Sequence, residues 1–297
     1  MNIALVVNPA ARAGAHTHAA TRATQRLREL GHTVTVISGG SAEETSELIR
    51  TAVELGTDAL VVAGGDGTIG LALPHLAGSG IPLGIVPAGT GNDFAAHFGI
   101  PELDPVKAAD VIAGGRTIDI DLARVSTDDG GTHLYATVLA SGFDSYVNDR
   151  ANRMRWPRGD MRYNIAILVE FLFLKESAYA IEVDGVRVEG PFLMASVGNT
   201  RSYGGRIPIC PAADAADGLL DVTVIRPAGR LKLLRLLPTV YKGTHLARPE
   251  VETYRGRSIR LDAHGITAYA DGDPIAALPA TVEVVPRALR VLVPPEE

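Results

Sequence analysis

Two segments of this chain combine residue types that hold phosphate, Gly64-Gly65-Asp66-Gly67-Thr68 and Pro87-Ala88-Gly89-Thr90-Gly91-Asn92-Asp93. Glycine lets backbone amides approach phosphate oxygens closely, and a helix starting just beyond turns its positive end toward them. Each segment follows a short apolar run, Ala59–Ala63 and Pro82–Val86, of the kind that forms a buried parallel strand. Ligands of open α/β sheets bind at the carboxyl ends of strands. One such loop is as readily a tight turn. Two after successive strands, each with a threonine and an acid, read as two facing phosphate cradles. The commoner nucleotide motifs are absent: there is no G-x-x-x-x-G-K-[ST], no G-x-G-x-x-G after the first strand and no protein-kinase signature.

Phosphoryl transfer also needs a group that accepts a proton. Asp271, in Ala270-Asp271-Gly272-Asp273, is one candidate, and Asp184 in Ile181-Glu-Val-Asp-Gly-Val-Arg-Val188 has the same Asp-Gly neighbourhood. Asp-Gly is first of all a hairpin signal, which accounts fully for Asp184 and is the rival explanation for Asp271. The acidic loop around Asp214 and Asp217 reads by itself as a solvated loop. The eight histidines show no metal-ligand spacing.

The elements that must position these residues alternate at first. Ile3–Val7 reads as a strand; Ala19, Ala23, Leu27 and Leu30 fall at helical spacing before Gly31; Thr33–Val36 alternates as a strand. Ser41-Ala42-Glu43-Glu44 is a capping box opening a helix that ends near Gly56. This βαβα order predicts a mostly parallel sheet with helices on both faces. After about Leu122 the pattern changes. Segments 133–141, 179–184, 186–197, 219–225, 258–263, 266–271 and 281–285 read as strands, with helices near 160–174 and 230–241, predicting an antiparallel β-sandwich. The expected division is an α/β domain carrying the glycine-rich segments over 1–122 and a β-sandwich domain over 123–285, with the strand at about 286–297 free to return to the first.

The chain has 297 residues, beyond the size at which a single core keeps growing. Hydrophobic residues make up 46% and charged residues 21%, which excludes a disordered chain. A single cysteine, Cys210, excludes an intrachain disulfide and fits a reducing cytoplasm. No signal peptide is expected, since the opening lacks a basic n-region and Ile3–Val7 is short for its apolar part. No stretch approaches the ~20 apolar residues of a membrane span. The net charge of −6 argues against nucleic-acid binding. Basic residues nevertheless cluster locally, at Arg150, Arg153, Arg155, Arg158 and Arg162 around Trp156, and again from Arg226 to Arg248. Arg230-Leu-Lys-Leu-Leu-Arg-Leu-Leu237 mixes cations and leucines as interfacial helices do, or as an ordinary surface helix packing its leucines inward.

Taken together, Asn8-Pro9, Gly64–Thr68 and Pro87–Ala95 resemble the diacylglycerol kinase catalytic domain family, which includes bacterial diacylglycerol, sphingosine and ceramide kinases. The resemblance continues through Gly142-Phe143-Asp144, Asp217-Gly218-Leu219-Leu220-Asp221 and Ala270–Asp273, nearly the whole chain. Gly-Gly-Asp-Gly-Thr alone is shared with NAD kinases and phosphofructokinases; followed by Pro-x-Gly-Thr-x-Asn-Asp-Phe-Ala it is far more specific. The family implies ATP in a cleft between an α/β domain and a β-sandwich. It places Asn8, Pro9, Ser38 (where the family often has Thr), Gly64, Gly65, Asp66, Gly67, Thr68, Gly89, Thr90 and Asn92 at the nucleotide, and makes Asp271 the catalytic base. Asp273 stands where the family usually has Glu. A structural Mg2+ would be held by Asp214, Asp217 and the Leu219 carbonyl, and catalytic Mg2+ through water by Asp66, Asp93 and Asp119, with Asp121 a rival for the last. The expected partner is a membrane lipid, diacylglycerol before sphingoid bases or ceramide, met by a peripheral protein at the inner face of the membrane; a homodimer is compatible. An NAD kinase-like enzyme and an inactive nucleotide-binding regulator are the alternatives from other classes.

Overall fold

The first third of the chain builds a parallel sheet because its strands are apolar on both sides. The computed structural model describes residues 1–7, 15–154, 156, 160–271 and 273–296. Asn8 and Pro9, expected at the nucleotide, lie outside the described residues, as do Arg155, Arg158 and Gly272. The order is β1 (Asn2–Val7), α1 (Ala15–Glu29), β2 (Thr33–Ile37), α2 (Ala42–Glu54), β3 (Ala59–Gly64), α3 (Asp66–Leu76), β4 (Leu83–Pro87), α4 (Asp93–His97) and α5 (Pro105–Gly114). The four strands are parallel in the order β2-β1-β3-β4. Alternate residues feed two cores. Val6, Leu60, Val62 and Ile85 pack with Ile49, Leu73 and Phe94 on one face; Leu5, Val61 and Val86 pack with Leu27 and Ile112 on the other. Helices therefore cover both faces, as parallel sheets require. The Ser41 hydroxyl accepts the Glu44 amide at 3.1 Å, while the Glu44 carboxylate takes the Gly40 amide, one residue before the partner a capping box specifies.

The remainder is largely antiparallel: β5 (Thr117–Thr127), β6 (Thr132–Tyr135), β7 (Val138–Gly142), α6 (Phe143–Arg153), α7 (Asp160–Leu172), β8 (Ser177–Val183), β9 (Val186–Phe192), β10 (Met194–Gly198), β11 (Leu220–Ile225), α8 (Arg230–Tyr241), β12 (Val251–Gly256), β13 (Ser258–Ala263), β14 (Thr267–Ala270), β15 (Asp273–Ala277) and β16 (Ala280–Leu292). Among the described residues, β12-β11-β10-β7-β14-β15 form one sheet, stacked on β13, β8, β9 and the lower halves of β5 and β16. Val125, Ile181, Leu261 and Val282 from one layer meet Leu139, Val197 and Val222 from the other in a shared core. The predicted strands 133–141 and 186–197 each divide in two, at Ala136-Thr137 and at Leu193, because the chain changes sheets there. Asn199 fixes the first crossing, donating its side-chain amide to the carbonyls of Asp121 and Ala136 at 2.9 Å each.

No linker separates the two regions. β5 runs unbroken through Leu122, and β16 pairs with it from Ala280↔Thr127 to Leu292↔Thr117. Near its end β16 also joins the parallel sheet, Val291 opposite Leu83 of β4. The pairing is interrupted only by a bulge between Val285 and Leu289. Buried Asp121 fills it, accepting the Arg287 amide at 2.7 Å where Arg287 turns left-handed, φ 52°.

Candidate active site

The parallel register places Gly64 opposite Pro87, so the two glycine-rich loops leave the sheet edge side by side. They touch backbone to backbone. A Cβ on Gly89 would stand 2.6 Å from the Gly65 Cα, and one on Gly65 would stand 3.0 Å from the Gly89 Cα. Only glycine at both positions allows this approach. Asn92, left-handed at φ 52°, braces its own loop: its side-chain carbonyl accepts the Gly89 amide at 2.9 Å and its amide donates to the Gly89 carbonyl at 3.1 Å. Asn92 thus shapes the cradle rather than offering a free arm to phosphate. Thr68 is likewise buried, packed beneath Gly64. Thr90 is exposed at the loop, and Ser38 is exposed at the carboxyl end of the edge strand β2. Helix α3 begins at Asp66 with Gly65 as its N-cap and no side chain capping it, which leaves its positive end for an anion.

Across from this loop stands the turn between β14 and β15. Its backbone approaches Gly67, where a Cβ would lie 3.9 Å from the Asp273 carboxylate and 4.0 Å from the Asp271 carbonyl. Asp271 holds φ 53° and accepts a short hydrogen bond from the Thr137 hydroxyl, at the sheet crossing. Burial is the first cause that lifts its carboxyl to about 7; the Thr137 bond opposes this, and the charges of Asp66 and Asp273 add to it. Asp66 is itself raised, first by burial and then by Asp93. A carboxyl poised near neutrality beside a phosphate cradle is suited to general-base chemistry. The Asp271 turn is thus a hairpin turn that also faces the glycine-rich loop.

The expected metal ligands separate into two groups. Asp66 and Asp93 converge around Gly91, where a Cβ would lie 3.3 and 3.0 Å from their oxygens. Asp66 accepts the amides of Asp93 and Phe94 at 3.2 Å each, and Asp93 accepts those of Gly205 and Arg206 at 2.9 and 2.6 Å. Among the described residues no three His, Cys, Asp or Glu side chains gather to cage a metal. Two neighbouring carboxylates nevertheless fit Mg2+, which commonly takes one or two carboxylates together with substrate phosphates. Asp119 does not join them. It is exposed and paired with Arg290 at 2.9 Å, which holds its carboxyl below the usual range. Its neighbour on the same face of β5, Asp121, is the buried one, because the β16 bulge covers it and Gly218 donates to it at 2.7 Å.

The Asp214–Leu219 loop does not fit a metal as arranged. Asp214 accepts the Ala216 amide at 3.0 Å and Asp217 the Leu219 amide at 2.9 Å. The second Asp217 oxygen is taken by the Arg255 guanidinium, which already supplies the positive charge.

Beyond the 203–207 loop lies an apolar cleft, open to solvent, between β10 and helices α7 and α8. Phe171, Met194, Ile209, Leu233 and Leu236 line it, and Tyr203 and Asp144, hydrogen-bonded to each other, are among its polar members with Tyr241. Around its rim, Leu172, Phe173, Leu231 and Leu234 are exposed, and Arg230 ties the two helices through the Leu172 carbonyl at 3.1 Å. Thus α8 divides its leucines, Leu233 and Leu236 inward, Leu231 and Leu234 outward. The first basic stretch is less available than its sequence implies, because Arg150 is bound to Glu170 at 2.5 Å and Arg153 to Asp149 at 2.8 Å. The residues that sequence reasoning passed over are Thr137, Tyr203 and the Gly204-Gly205-Arg206 turn. Only that glycine pair carried a local signal. No helix among the described residues is long and apolar enough to cross a membrane.

A parallel-sheet domain with paired glycine loops, closed by an acid from a β-sandwich, defines a phosphotransferase. The sequence pattern of the diacylglycerol kinase catalytic domain matches residues 2–125, and that of the YegS C-terminal NAD kinase beta sandwich-like domain matches 137–293. A diacylglycerol kinase of Mycobacterium tuberculosis strain H37Rv is 48% identical over 98% of this chain and 95% of its own length. "Probable lipid kinase YegS" of Escherichia coli O6:K15:H31 is 30% identical over 91% of this chain and 89% of its own. The crystal structure of a diacylglycerol kinase from Bacillus anthracis strain Sterne shares the fold, with TM-score 0.78 at 20% identity over 99% of this chain and 97% of that one. The chain belongs to the diacylglycerol kinase family of lipid kinases.

Proposed function

We propose that this enzyme transfers the γ-phosphoryl group of ATP, with Mg2+, to the free hydroxyl of membrane diacylglycerol, giving phosphatidic acid and ADP. The observation that carries the reading is Asp271, a carboxyl lifted to about 7 and pressed by its turn against the Gly67 loop of the other domain. Asp271 takes the proton from the lipid hydroxyl; the oxygen bonds to the γ-phosphorus and the bond to the β–γ bridging oxygen breaks. The α3 N-terminus and the glycine loops hold the phosphates. Bound Mg2+, taken by Asp66 and Asp93, would neutralise phosphate charge.

The apolar cleft supports a lipid acceptor. It joins the cradle through one short loop: Tyr203 lines the cleft, and Gly205 is bonded to Asp93. Strand β7 links Thr137, just before it and bonded to Asp271, with Phe143, just after it and in the cleft, over six residue steps or ~20 Å. That compares with ~15 Å for half of a bilayer's hydrocarbon core. The exposed rim leucines, with Lys232 and Arg235 among them, fit an anionic bilayer surface.

Labelled ATP offered with diacylglycerol, sphingosine and ceramide in mixed micelles should yield labelled phosphatidic acid as the main product. Labelling of sphingosine or ceramide in preference would overturn the acceptor, and labelling of none would overturn the activity. Reversing Lys232 and Arg235 to Glu should weaken binding to anionic vesicles and activity on bilayers, while sparing a short-chain soluble acceptor. Equal loss on both would contradict the docking surface.

A further inference from the structure

The Tyr203–Ile207 loop is held at its two ends by carboxylates that belong to different sites. Its base is closed by paired backbone bonds, Tyr203 amide to Ile207 carbonyl at 3.2 Å and Ile207 amide to Tyr203 carbonyl at 3.0 Å. Gly204, Gly205 and Arg206 are all left-handed, φ 60°, 87° and 72°. For Arg206 that is an unfavourable conformation, so the surroundings must impose it. They do so from the nucleotide side: Asp93 takes the Gly205 and Arg206 amides, and Glu102 takes the Arg206 guanidinium with both oxygens at 2.5 Å. On the opposite side the Tyr203 hydroxyl donates to Asp144, and the rings and side chains of Tyr203 and Ile207 form part of the cleft wall.

These contacts make one short mechanical path. Asp93 lies in the second glycine-rich segment and its own amide is bonded to Asp66, so its position registers how the phosphate cradle is seated. A chain entering the cleft must pack against Tyr203, two and three residues from the amides that Asp93 holds. We infer that this loop is a strap coupling the apolar cleft to the phosphate cradle, and that Tyr203, fixed by Asp144, is the positioning residue through which an acyl chain tightens nucleotide binding. The inference rests on the lipid-kinase reading for the nature of the cleft ligand. By linkage the coupling is reciprocal, so it is visible from the nucleotide side alone.

The test uses binding, without turnover. ATP affinity of the full-length protein is measured by calorimetry, with Mg2+, in the presence and absence of propane-1,2-diol dioctanoate, a diacylglycerol lacking the acceptor hydroxyl. In the wild type the analogue should lower the ATP Kd about fivefold or more, the range of ordinary allosteric couplings. In Tyr203→Phe, which keeps the ring and loses the hydroxyl, that ratio should fall to about one while the lipid-free ATP Kd stays unchanged. Asp144→Asn retains an acceptor for the hydroxyl and should keep the ratio; Asp144→Ala should lose it. A ratio of one in the wild type, or a wild-type ratio in Tyr203→Phe, overturns the strap. So does a lipid-free ATP Kd that weakens in step with Tm in both Tyr203→Phe and Asp144→Ala, which would make the pair merely structural. Failure of the wild type to phosphorylate any lipid would instead count against the kinase reading, since this measurement requires no product.

Discussion

Asp184 and Asp271 are two aspartates followed by glycine, both at the ends of sandwich strands and both left-handed, φ 48° and 53°. Their surroundings differ. Asp184 is exposed in the β8–β9 hairpin and its carboxylate accepts the amides of Arg257 and Ser258, at 3.0 and 2.9 Å, clamping the neighbouring turn. Asp271 is half-buried and set near the negative Asp66; burial first, and then the Asp66 charge, lift its carboxyl to about 7 against the opposing bond from the Thr137 hydroxyl. Local sequence dictates the turn in both places. On the proposed mechanism, what converts one turn into a base is the domain that faces it, and the chemistry then resides in the relation between two regions.

The comparison is broken most completely by removing what faces Asp271. Gly65→Asp places a charged side chain where even a Cβ would stand 3.0 Å from the Gly89 Cα, so ATP binding and activity should be abolished in a protein that still melts cooperatively. Asp271→Asn keeps the turn and removes the proton acceptor; kcat should fall by ~10²–10⁴ with ATP affinity little changed. Thr137→Val deletes the bond that favours the charged form, so the Asp271 carboxyl should rise further. Activity at pH 7 should then drop by roughly tenfold and recover at higher pH, which a pH series would show. Asp184→Asn gives the smallest effect: kcat should be nearly unchanged, with a Tm loss of ~2–4 °C for about 1 kcal/mol of clamp.

Stability provides an independent sharpening of the same contrast. The folded Asp271 carboxyl titrates at about 7 and the unfolded one near ~3.9, so between these values the folded state binds more protons. Its burial therefore costs nothing below pH ~4, and the cost grows as pH rises to about 7. Asp271→Asn should consequently melt higher than the wild type at pH 8 and lose that advantage by pH 4. Asp144, lifted to about 6 first by burial, leaves the variant a weaker slope of the same sign.

Much of this was legible in the sequence. Continuous apolar runs before glycine-rich loops determined the parallel sheet and the cradle, and the Asp-Gly signal correctly marked both turns. Periodicity did not reveal the crossings at Ala136-Thr137 and Leu193, since a strand that changes sheets keeps its alternation. Nor did it separate Asp119 from Asp121, which share one face of β5; the β16 bulge, a tertiary feature, buries the second and leaves the first with Arg290. The division expected at Leu122 falls in the middle of a continuous strand because β5 and β16 serve both regions. The Arg255 partner of Asp217, 38 residues away in sequence and adjacent only in the fold, left no trace in the local pattern.

The pH dependence of kcat/KM in the wild type and in Asp271→Asn tests most directly the claim that burial against the nucleotide domain makes this turn a base. The wild-type value should climb about tenfold per pH unit and level off near pH 7, and the residual activity of Asp271→Asn should lack that limb. A wild-type profile already level at pH 5, or the same limb persisting in Asp271→Asn, would contradict it.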